Sequence, residues 1–291
     1  MSDSIKNAVR DGYGGVARQG LGSHQEGMRS IASAFGYSAE ELASIPDEAN
    51  MGLSCGNPIA LATLRPGETV VDLGSGGGLD VFLASKEVGP AGLAIGIDMT
   101  ADMVELARAN AQKGDYANVI FHLAEIESMP IDSGSVDCVI SNCVLNLCAD
   151  KDAALAEVFR VLKPGGRLAI SDIALKRALP EEFRNEVAAW NGCIGGALTI
   201  DENFAALERA GFTKVVIQDS NADLNIYKEG GSAACCGPAP SSVKLQTSCC
   251  DAASVEPDEA PANFHETMSQ LLDSIDANDY AASVKIFAIK Q

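Results

Sequence analysis

Between Thr69 and Gln218 the sequence alternates short apolar runs with stretches of helical periodicity, and this alternation restricts the possible folds severely. Near-continuous apolar strands separated by helices are typical of βαβ units, in which both faces of a parallel sheet are covered. The predicted strands are Thr69–Leu73, Leu93–Asp98, Val119–Leu123, Val136–Ser141, Arg167–Asp172 and Thr213–Gln218. The predicted helices are Leu79–Val88, Ala101–Lys113, Lys151–Leu162 and Asp201–Ala210. The sequence thus predicts an α/β fold with a doubly wound, mostly parallel sheet.

The segments on either side of this region have a different character. Residues 1–50 hold only weak helical patterns, notably Gly27–Phe35 and Ser38–Ser44, which we interpret as a helical N-terminal cap. Residues 221–262 are rich in Gly, Ala, Ser and Pro, and residues 221–280 are interpreted as an insertion between the last two strands. The apolar run within 281–291 predicts a seventh, antiparallel strand that returns to the sheet.

Residues 51–220 therefore form the predicted central domain. Within it, Lys163–Gly166 (KPGG) predicts the end of one helix and a turn into the next strand.

The charge balance restricts the possible partners. The chain of 291 residues carries 40 Asp and Glu against 21 Lys and Arg, for a net charge of −19. Such a chain is repelled by nucleic acid and by anionic membranes, whereas a cationic cofactor suits it. The first twenty residues do not resemble a signal peptide, so we expect a cytoplasmic protein. We also expect a monomer, although no sequence feature determines the oligomeric state. Nine cysteines in that reducing compartment indicate ligation or redox chemistry rather than a disulfide framework.

A glycine-rich turn follows the first predicted strand. Asp72–Gly78 (DLGSGGG) would let a ligand approach the backbone closely at a helix N-terminus. A dinucleotide fingerprint would need glycine where Leu79 stands. Asp98 ends the next strand, where a carboxylate can accept hydrogen bonds from both ribose hydroxyl groups of an adenosine. Its alternative role is an N-cap before Ala101–Lys113, but we favour ribose binding.

Three cysteines lie far apart, each beside small or polar residues. Cys55 occurs in GLSCGNP, Cys143 in SNCVLNL and Cys193 in WNGCIGGAL. Ligands of open α/β sheets bind beyond the carboxyl ends of the strands, where all three thiols can meet. Soft thiolates select a soft centre such as trivalent arsenic. Most free cysteines are small, buried apolar residues, and we assign this role to Cys138. The role of Cys148 is ambiguous.

The glycine turn and Asp98 together resemble the Rossmann-like methyltransferases that use S-adenosylmethionine. This resemblance, over about residues 55–220, implies that Asp72 lies near the methionine amino group and that Asp98 holds the ribose. It also implies that Glu125 and Ile126 border the adenine. The remaining residues assigned to the cofactor site are Gly74, Ser75, Gly76, Gly78, Met99 and Asn142.

The three cysteine motifs resemble those of arsenite S-adenosylmethionine methyltransferases. The resemblance implies arsenic bound by Cys143 and Cys193, with Cys55 as third ligand or as reductant. It further implies methylated arsenicals as products and resetting of the site by glutathione or thioredoxin. In many members a further N-terminal cysteine forms a disulfide with the counterpart of Cys55. No cysteine precedes Cys55 here, so either the cycle is simpler or a C-terminal pair substitutes.

Two vicinal pairs lie in the predicted insertion, Cys235–Cys236 and Cys249–Cys250. They either pass the metalloid onward or belong to an inert spacer. Two other functions remain open for the whole chain. One is a methyltransferase for an organic acceptor such as a quinone or sterol, and the other is a thiol protein that binds metalloids without catalysis.

Overall fold

A computed structural model describes residues 2–19, 25–178, 194–225 and 276–291. Its centre is a seven-stranded sheet with the order β3-β2-β1-β4-β5-β7-β6. The strands are β1 (Thr69–Leu73), β2 (Leu93–Asp98), β3 (Val119–Leu123), β4 (Val136–Asn142), β5 (Leu162–Leu175), β6 (Thr213–Asp219) and β7 (Ala281–Ile289). All neighbours pair in parallel except β7, which is antiparallel to both β5 and β6. The predicted doubly wound sheet with an antiparallel last strand is confirmed.

Helices cover the sheet and extend over one end of it. They are α1 (Ser2–Gln19), α2 (Gln25–Ala34), α3 (Ala39–Ala43), α4 (Pro58–Ala62), α5 (Leu79–Val88), α6 (Ala101–Lys113), α7 (Lys151–Val161), α8 (Ile200–Arg209) and α9 (Ala277–Tyr280). The predicted bounds of α5 and α6 agree with the structure, and those of α7 and α8 differ by one residue. None of the helices in the described ranges has the length and apolar character needed to cross a membrane.

The apolar strands are buried on both faces. One core cluster contains Val71 and Leu168, which are fully buried, beneath α7 and α8. A second contains Val70 and Ile140 of the sheet together with Phe82 of α5 on the opposite face. Successive residues of one strand, such as Val70 and Val71, thus enter different layers, as the two-residue period of a strand requires.

Helix α1 was not predicted as a separate element. Its glycines lower its intrinsic helix propensity, so the sequence shows little periodicity there. The structure gives a reason for one of them. A Cβ atom on Gly14 would lie 2.9 Å from Asp102 Oδ2, so glycine at this position leaves room for that side chain of α6. Arg18 of α1 also pairs with Asp102, so contacts with α6 support this helix.

The segment Lys163–Gly166 differs from its prediction. The helix does end before it, at Val161, but the four residues continue strand β5 instead of forming a separate turn. Gly165 N donates to Lys290 O at 2.7 Å, and Lys290 N donates to Gly166 O at 2.9 Å. Pairing with the chain next to β7 therefore extends the strand through a sequence that is typical of turns.

A stability prediction arises at the base of the sheet. Arg167 bonds both carboxylate oxygens of Glu68 and also donates to the carbonyls of Ala62 and Thr63. Both charged side chains are only 15% exposed. We expect Arg167→Ala to lower the free energy of unfolding by about 3 kcal/mol, because a buried carboxylate loses its partner. Chemical denaturation followed by circular dichroism measures this.

The matched control is Arg209→Ala. Arg209 pairs with Asp152 at 2.8 Å, but both side chains are more than half exposed. We expect that variant to change stability by less than about 1 kcal/mol. Equal losses in the two variants would contradict the assigned role of burial.

Candidate active site

The glycine-rich turn joins β1 to α5 in backbone conformations that favour glycine. Gly74, Gly76 and Gly78 have φ angles of +63°, +50° and +98°. A Cβ atom on Gly74 would overlap the side chain of Val144, and one on Gly78 would lie 2.6 Å from Phe82. The turn can therefore keep this shape only with glycine at these positions, and it leaves the backbone close to the adjacent cleft.

Asp98 ties this turn to the end of β2. Its Oδ2 accepts from Gly76 N at 2.9 Å, and its Oδ1 accepts from Thr100 N at 2.8 Å. Burial raises the pKa of Asp98, and these hydrogen bonds oppose the rise. Thr100, not Asp98, is the N-cap of α6. Asp98 is therefore held in a fixed orientation at the edge of the cleft, consistent with ligand binding.

Two further buried carboxyl groups stand near Asp98. Burial, followed by repulsion from Asp80 and Asp98, raises the pKa of Asp72 well above its usual range. Burial also raises the pKa of Asp80 to about 6, against hydrogen bonds from Tyr37 and Asn142. Three carboxyl groups along one cleft favour a ligand that carries positive charge.

Cys55 and Cys143, 88 residues apart in sequence, are joined as a disulfide with their Cα atoms 5.9 Å apart. Both residues are buried. Cys143 follows β4 directly and has a φ angle of +57°, which is uncommon for a residue other than glycine and typical of functional sites. The expected convergence of these two thiols is thus present. Among the described residues, the partner of Cys55 is thus Cys143.

A cleft of about 1060 Å³, part of it open to solvent, runs from the glycine turn to Cys143. The residues assigned from sequence that line it are Asp72, Gly74, Ser75, Gly76, Asp98, Met99, Ile126, Asn142 and Cys143. Apolar side chains such as Met51, Leu53 and Leu147 complete its wall. The cleft thus brings carboxyl groups and the thiol positions of Cys143 and Cys148 into one space.

Helix α1 contributes side chains that sequence reasoning missed. Lys6 and Tyr13 line the cleft. Lys6 Nζ lies 2.8 Å from Glu125 and 3.0 Å from Glu127, and the Glu125 hydrogen bond raises the pKa of Lys6. Of the two residues assigned to the adenine, Ile126 is in the wall, while Glu125 is paired with α1. No local pattern marked these residues, because α1 itself lacked one.

The other cysteines fall into two groups. Cys138 and Cys148 are free and buried, and burial raises the pKa of each thiol to about 12. Cys138 lies inside β4, as expected of a small core residue, whereas Cys148 lines the cleft. Outside the described residues lie the remaining thiols, Cys193, Cys235, Cys236, Cys249 and Cys250.

Asp172 is a buried acid beside this site that the sequence did not single out. Its Oδ1 accepts from Asn146 Nδ2 and from Ile173 N, each at 2.8 Å. Burial raises the pKa of Asp172 from 3.8 to about 7. The folded protein therefore binds a proton here that the unfolded chain releases above about pH 4, and stability falls as pH rises from about 4 to about 7.

We expect Asp172→Asn to remove this part of the pH dependence. The loss of stability between pH 4 and pH 8 should be smaller than in wild type, by on the order of 4 kcal/mol at most. Denaturant unfolding across this range measures the difference between the two proteins. Asp152→Asn, at an exposed acid, should keep the wild-type slope, and an unchanged slope in Asp172→Asn would refute the prediction.

The comparisons with known proteins agree with this geometry. A family model described as "Methyltransferase domain" matches residues 64–231, which is more than half of the chain. The chain therefore belongs to the methyltransferase domain family.

Its relatives include proteins named arsenite methyltransferase. The one from Halobacterium salinarum is 42% identical over 230 residues, which cover 74% of this chain and 59% of that protein. The one from Homo sapiens is 41% identical over 152 residues, which cover 49% of this chain and 40% of that protein. The chain thus spans between 40 and 59% of the length of five curated relatives that carry this name.

A crystal structure of CrArsM, an arsenic(III) S-adenosylmethionine methyltransferase from Chlamydomonas reinhardtii, matches with a TM-score of 0.56 and 26% identity. The match covers 91% of this chain and 73% of that one. A phosphoethanolamine N-methyltransferase from Haemonchus contortus matches with a TM-score of 0.63 and 17% identity, which shows a shared fold. The resemblance that the cysteine motifs suggested is confirmed by these similarities.

Proposed function

We propose that the protein transfers methyl groups from S-adenosylmethionine to trivalent arsenic held by cysteine thiolates. One observation carries the proposal: Cys143, which is paired with Cys55, lines the same cleft as Asp72 and Asp98. A thiol pair from distant parts of the chain thus adjoins a site suited to a cationic nucleoside. The relatives named arsenite methyltransferase support this function.

The carboxyl groups fit the donor. S-adenosylmethionine would supply an electrophilic methyl group on its positively charged sulfonium. Asp98, which is held by two backbone N–H groups, would accept hydrogen bonds from the ribose hydroxyl groups. Asp72 would face the ammonium group of the methionine. The glycines of the turn keep side chains out of the way, and Met99 and Ile126 would contribute apolar surface for the adenine.

The thiols fit the acceptor. The disulfide is the oxidised, arsenic-free form, and a thiol reductant such as glutathione or thioredoxin would return it to two thiols. Thiolates are soft ligands that match trivalent arsenic. Arsenic keeps a lone pair, so it can attack the methyl group without a general base. The chain would contribute mainly alignment of the two reactants, an effect of about 7–11 kcal/mol when well arranged. The observed pairing favours a reductant role for Cys55.

Cys193 is proposed as a further arsenic ligand. Its neighbour Ile194 packs against the apolar cluster that contains Cys55 and Cys143. We expect Cys193→Ser to lower methylation at least about 100-fold, because a hydroxyl is a poor ligand for arsenic. Product analysis by chromatography with arsenic detection measures this. Full activity in that variant would contradict the assignment.

The remaining proposals concern the setting of the enzyme. We place it in the cytoplasm as a monomer, with arsenite and methylated arsenicals as its small-molecule substrates and with no nucleic acid or membrane partner. Cys235, Cys236, Cys249 and Cys250 would aid uptake of arsenic. Deletion of residues 235–250 should therefore weaken uptake without abolishing turnover.

Turnover of the purified chain tests the function. The assay contains arsenite, S-adenosylmethionine and either glutathione or a thioredoxin system, and it follows methylated arsenic and S-adenosylhomocysteine together. Formation of one S-adenosylhomocysteine for each methyl group found on arsenic, in a thiol-dependent reaction, supports the proposal. A parallel assay offers demethylmenaquinone, because part of the chain is 38% identical to a quinone C-methyltransferase from Pasteurella multocida.

Two outcomes would overturn the proposal. Methylation of the quinone without methylation of arsenite would assign the cleft to an organic acceptor. Binding of arsenite without any S-adenosylmethionine binding in calorimetry would leave a metalloid-binding protein.

A further inference from the structure

Side chains from strands β4 and β7 form hydrogen bonds with the backbone N–H and carbonyl groups of Cys55. Cys55 N donates to Asn142 Oδ1 at 3.0 Å, at the end of β4. Ser283 Oγ, in β7, donates to Cys55 O at 2.7 Å across 228 residues of sequence. Ser283 is only 1% exposed. The backbone of Cys55 is therefore fixed to the sheet on both sides of its Cα atom.

The next residue is held just as closely. Asn142 Nδ2 donates to Gly56 O at 2.9 Å. A Cβ atom on Gly56 would lie 2.6 Å from Ser171 Cβ, so the peptide rests directly against β5. Three neighbouring strands thus contact the segment that carries the Cys55 thiol.

The same strands fix Cys143. Its N–H donates to Ser171 O at 2.8 Å, and Asn142 directly precedes it in the chain. Asn142 therefore contacts the backbone of one cysteine and is bonded covalently to the other. Its amide group is fully engaged, because Nδ2 also donates to Tyr37 Oη at 2.8 Å and approaches Asp80 Oδ2 at 3.2 Å.

We infer that Asn142 and Ser283 are positioning residues that hold the Cys55 thiol opposite Cys143. They determine how readily the two sulfur atoms form a disulfide or bind one arsenic atom together. This gives Asn142 a role beyond the cofactor site to which its sequence position assigned it. The consequence for arsenic rests on the proposed function, whereas the disulfide equilibrium of the pair does not.

The test is the equilibrium of that disulfide in glutathione buffers. Two protein thiols and one glutathione disulfide give the protein disulfide and two glutathione molecules, so atoms and electrons balance. Mass spectrometry of the peptides that contain Cys55 and Cys143 measures the oxidised fraction without interference from the other cysteines. We expect Ser283→Ala to lower the equilibrium constant about tenfold, a shift of about 30 mV for this two-electron couple.

Two variants separate positioning from general stability. Ser220→Ala is the matched control, since Ser220 Oγ donates to the Ser283 carbonyl at 3.0 Å and is not bonded to Cys55. It should leave the constant within twofold of wild type. Ser283→Thr keeps the hydroxyl group and should restore most of the wild-type value. Asn142→Ala should lower the constant at least as much as Ser283→Ala.

The inference is overturned if folded Ser283→Ala keeps the wild-type constant, or if Ser220→Ala shifts it equally. Circular dichroism and a cooperative thermal transition establish that each variant is folded. If the chain fails to methylate arsenite but Ser283→Ala still shifts the disulfide, then the proposed function fails and the positioning role stands. If the chain methylates arsenite but Ser283→Ala leaves the disulfide equilibrium unchanged, the proposed function stands and the positioning role fails.

Discussion

Replacement of Cys143 by serine is expected to abolish methylation of arsenite, with a loss of at least about 100-fold in turnover. The hydroxyl oxygen is a hard, neutral ligand, and the variant can no longer pair with Cys55. The lining of the donor site is untouched, because the carboxyl groups lie on other strands. Binding of S-adenosylmethionine, measured by calorimetry, should stay within about threefold of wild type. The activity measurement is the arsenic product assay with excess thiol.

Cys138→Ala provides the matched control for this experiment. It also removes one buried thiol from β4, but at a position inside the sheet and away from the cleft. Its turnover should remain close to that of wild type once a folded fraction is isolated. Comparable activity in Cys143→Ser and Cys138→Ala would show that the cleft thiol does not hold the reacting arsenic.

Removal of the Asp98 carboxyl group is expected to weaken S-adenosylmethionine binding about 100-fold, or about 2.7 kcal/mol. Asp98→Ala loses the acceptor proposed for the ribose and also the two hydrogen bonds that connect the carboxylate with Gly76 and Thr100. Calorimetry gives the dissociation constant directly. The exposed Asp152→Ala serves as the control for a change of one unit in net charge.

The same measurement as a function of pH tests the electrostatic argument. Burial and the neighbouring acids raise the pKa of Asp72, so a proton must leave this group for it to face a cation. Affinity should therefore rise with pH through the titration of Asp72, with release of protons on binding. In Asp72→Asn this rise should be smaller. If wild-type affinity is independent of pH and Asp98→Ala binds as tightly, the carboxyl groups do not recognise the donor.

Much of the central sheet could be predicted because its signals are local. The bounds of β1, β2, β3, α5 and α6 follow from apolar runs and helical periodicity within a few residues. The glycine turn was equally visible, since the positive φ angles of Gly74 and Gly76 depend on the residue type itself.

The rest depends on contacts that no local pattern encodes. The bond between Cys55 and Cys143 joins positions 88 residues apart, and Ser283 reaches Cys55 from the last strand. Helix α1 packs on α6, with Arg18 paired with Asp102, although its glycines lower the intrinsic helix propensity. The cysteine motifs predicted that Cys55 and Cys143 can meet, but only the folded sheet shows how the chain holds them.

The contact between Gly74 and Val144 has a thermodynamic consequence. Gly74 belongs to the glycine-rich turn that lines the cleft, while Val144 directly follows Cys143, and no space remains between them for even one extra carbon atom. A ligand that shifts the loop of Gly74 must therefore change the free energy of ligand binding beside Val144. A ligand that shifts the loop of Val144 must likewise change the free energy of binding beside Gly74. Such linkage is reciprocal: whatever factor arsenic adds to donor affinity, the donor adds to arsenic affinity.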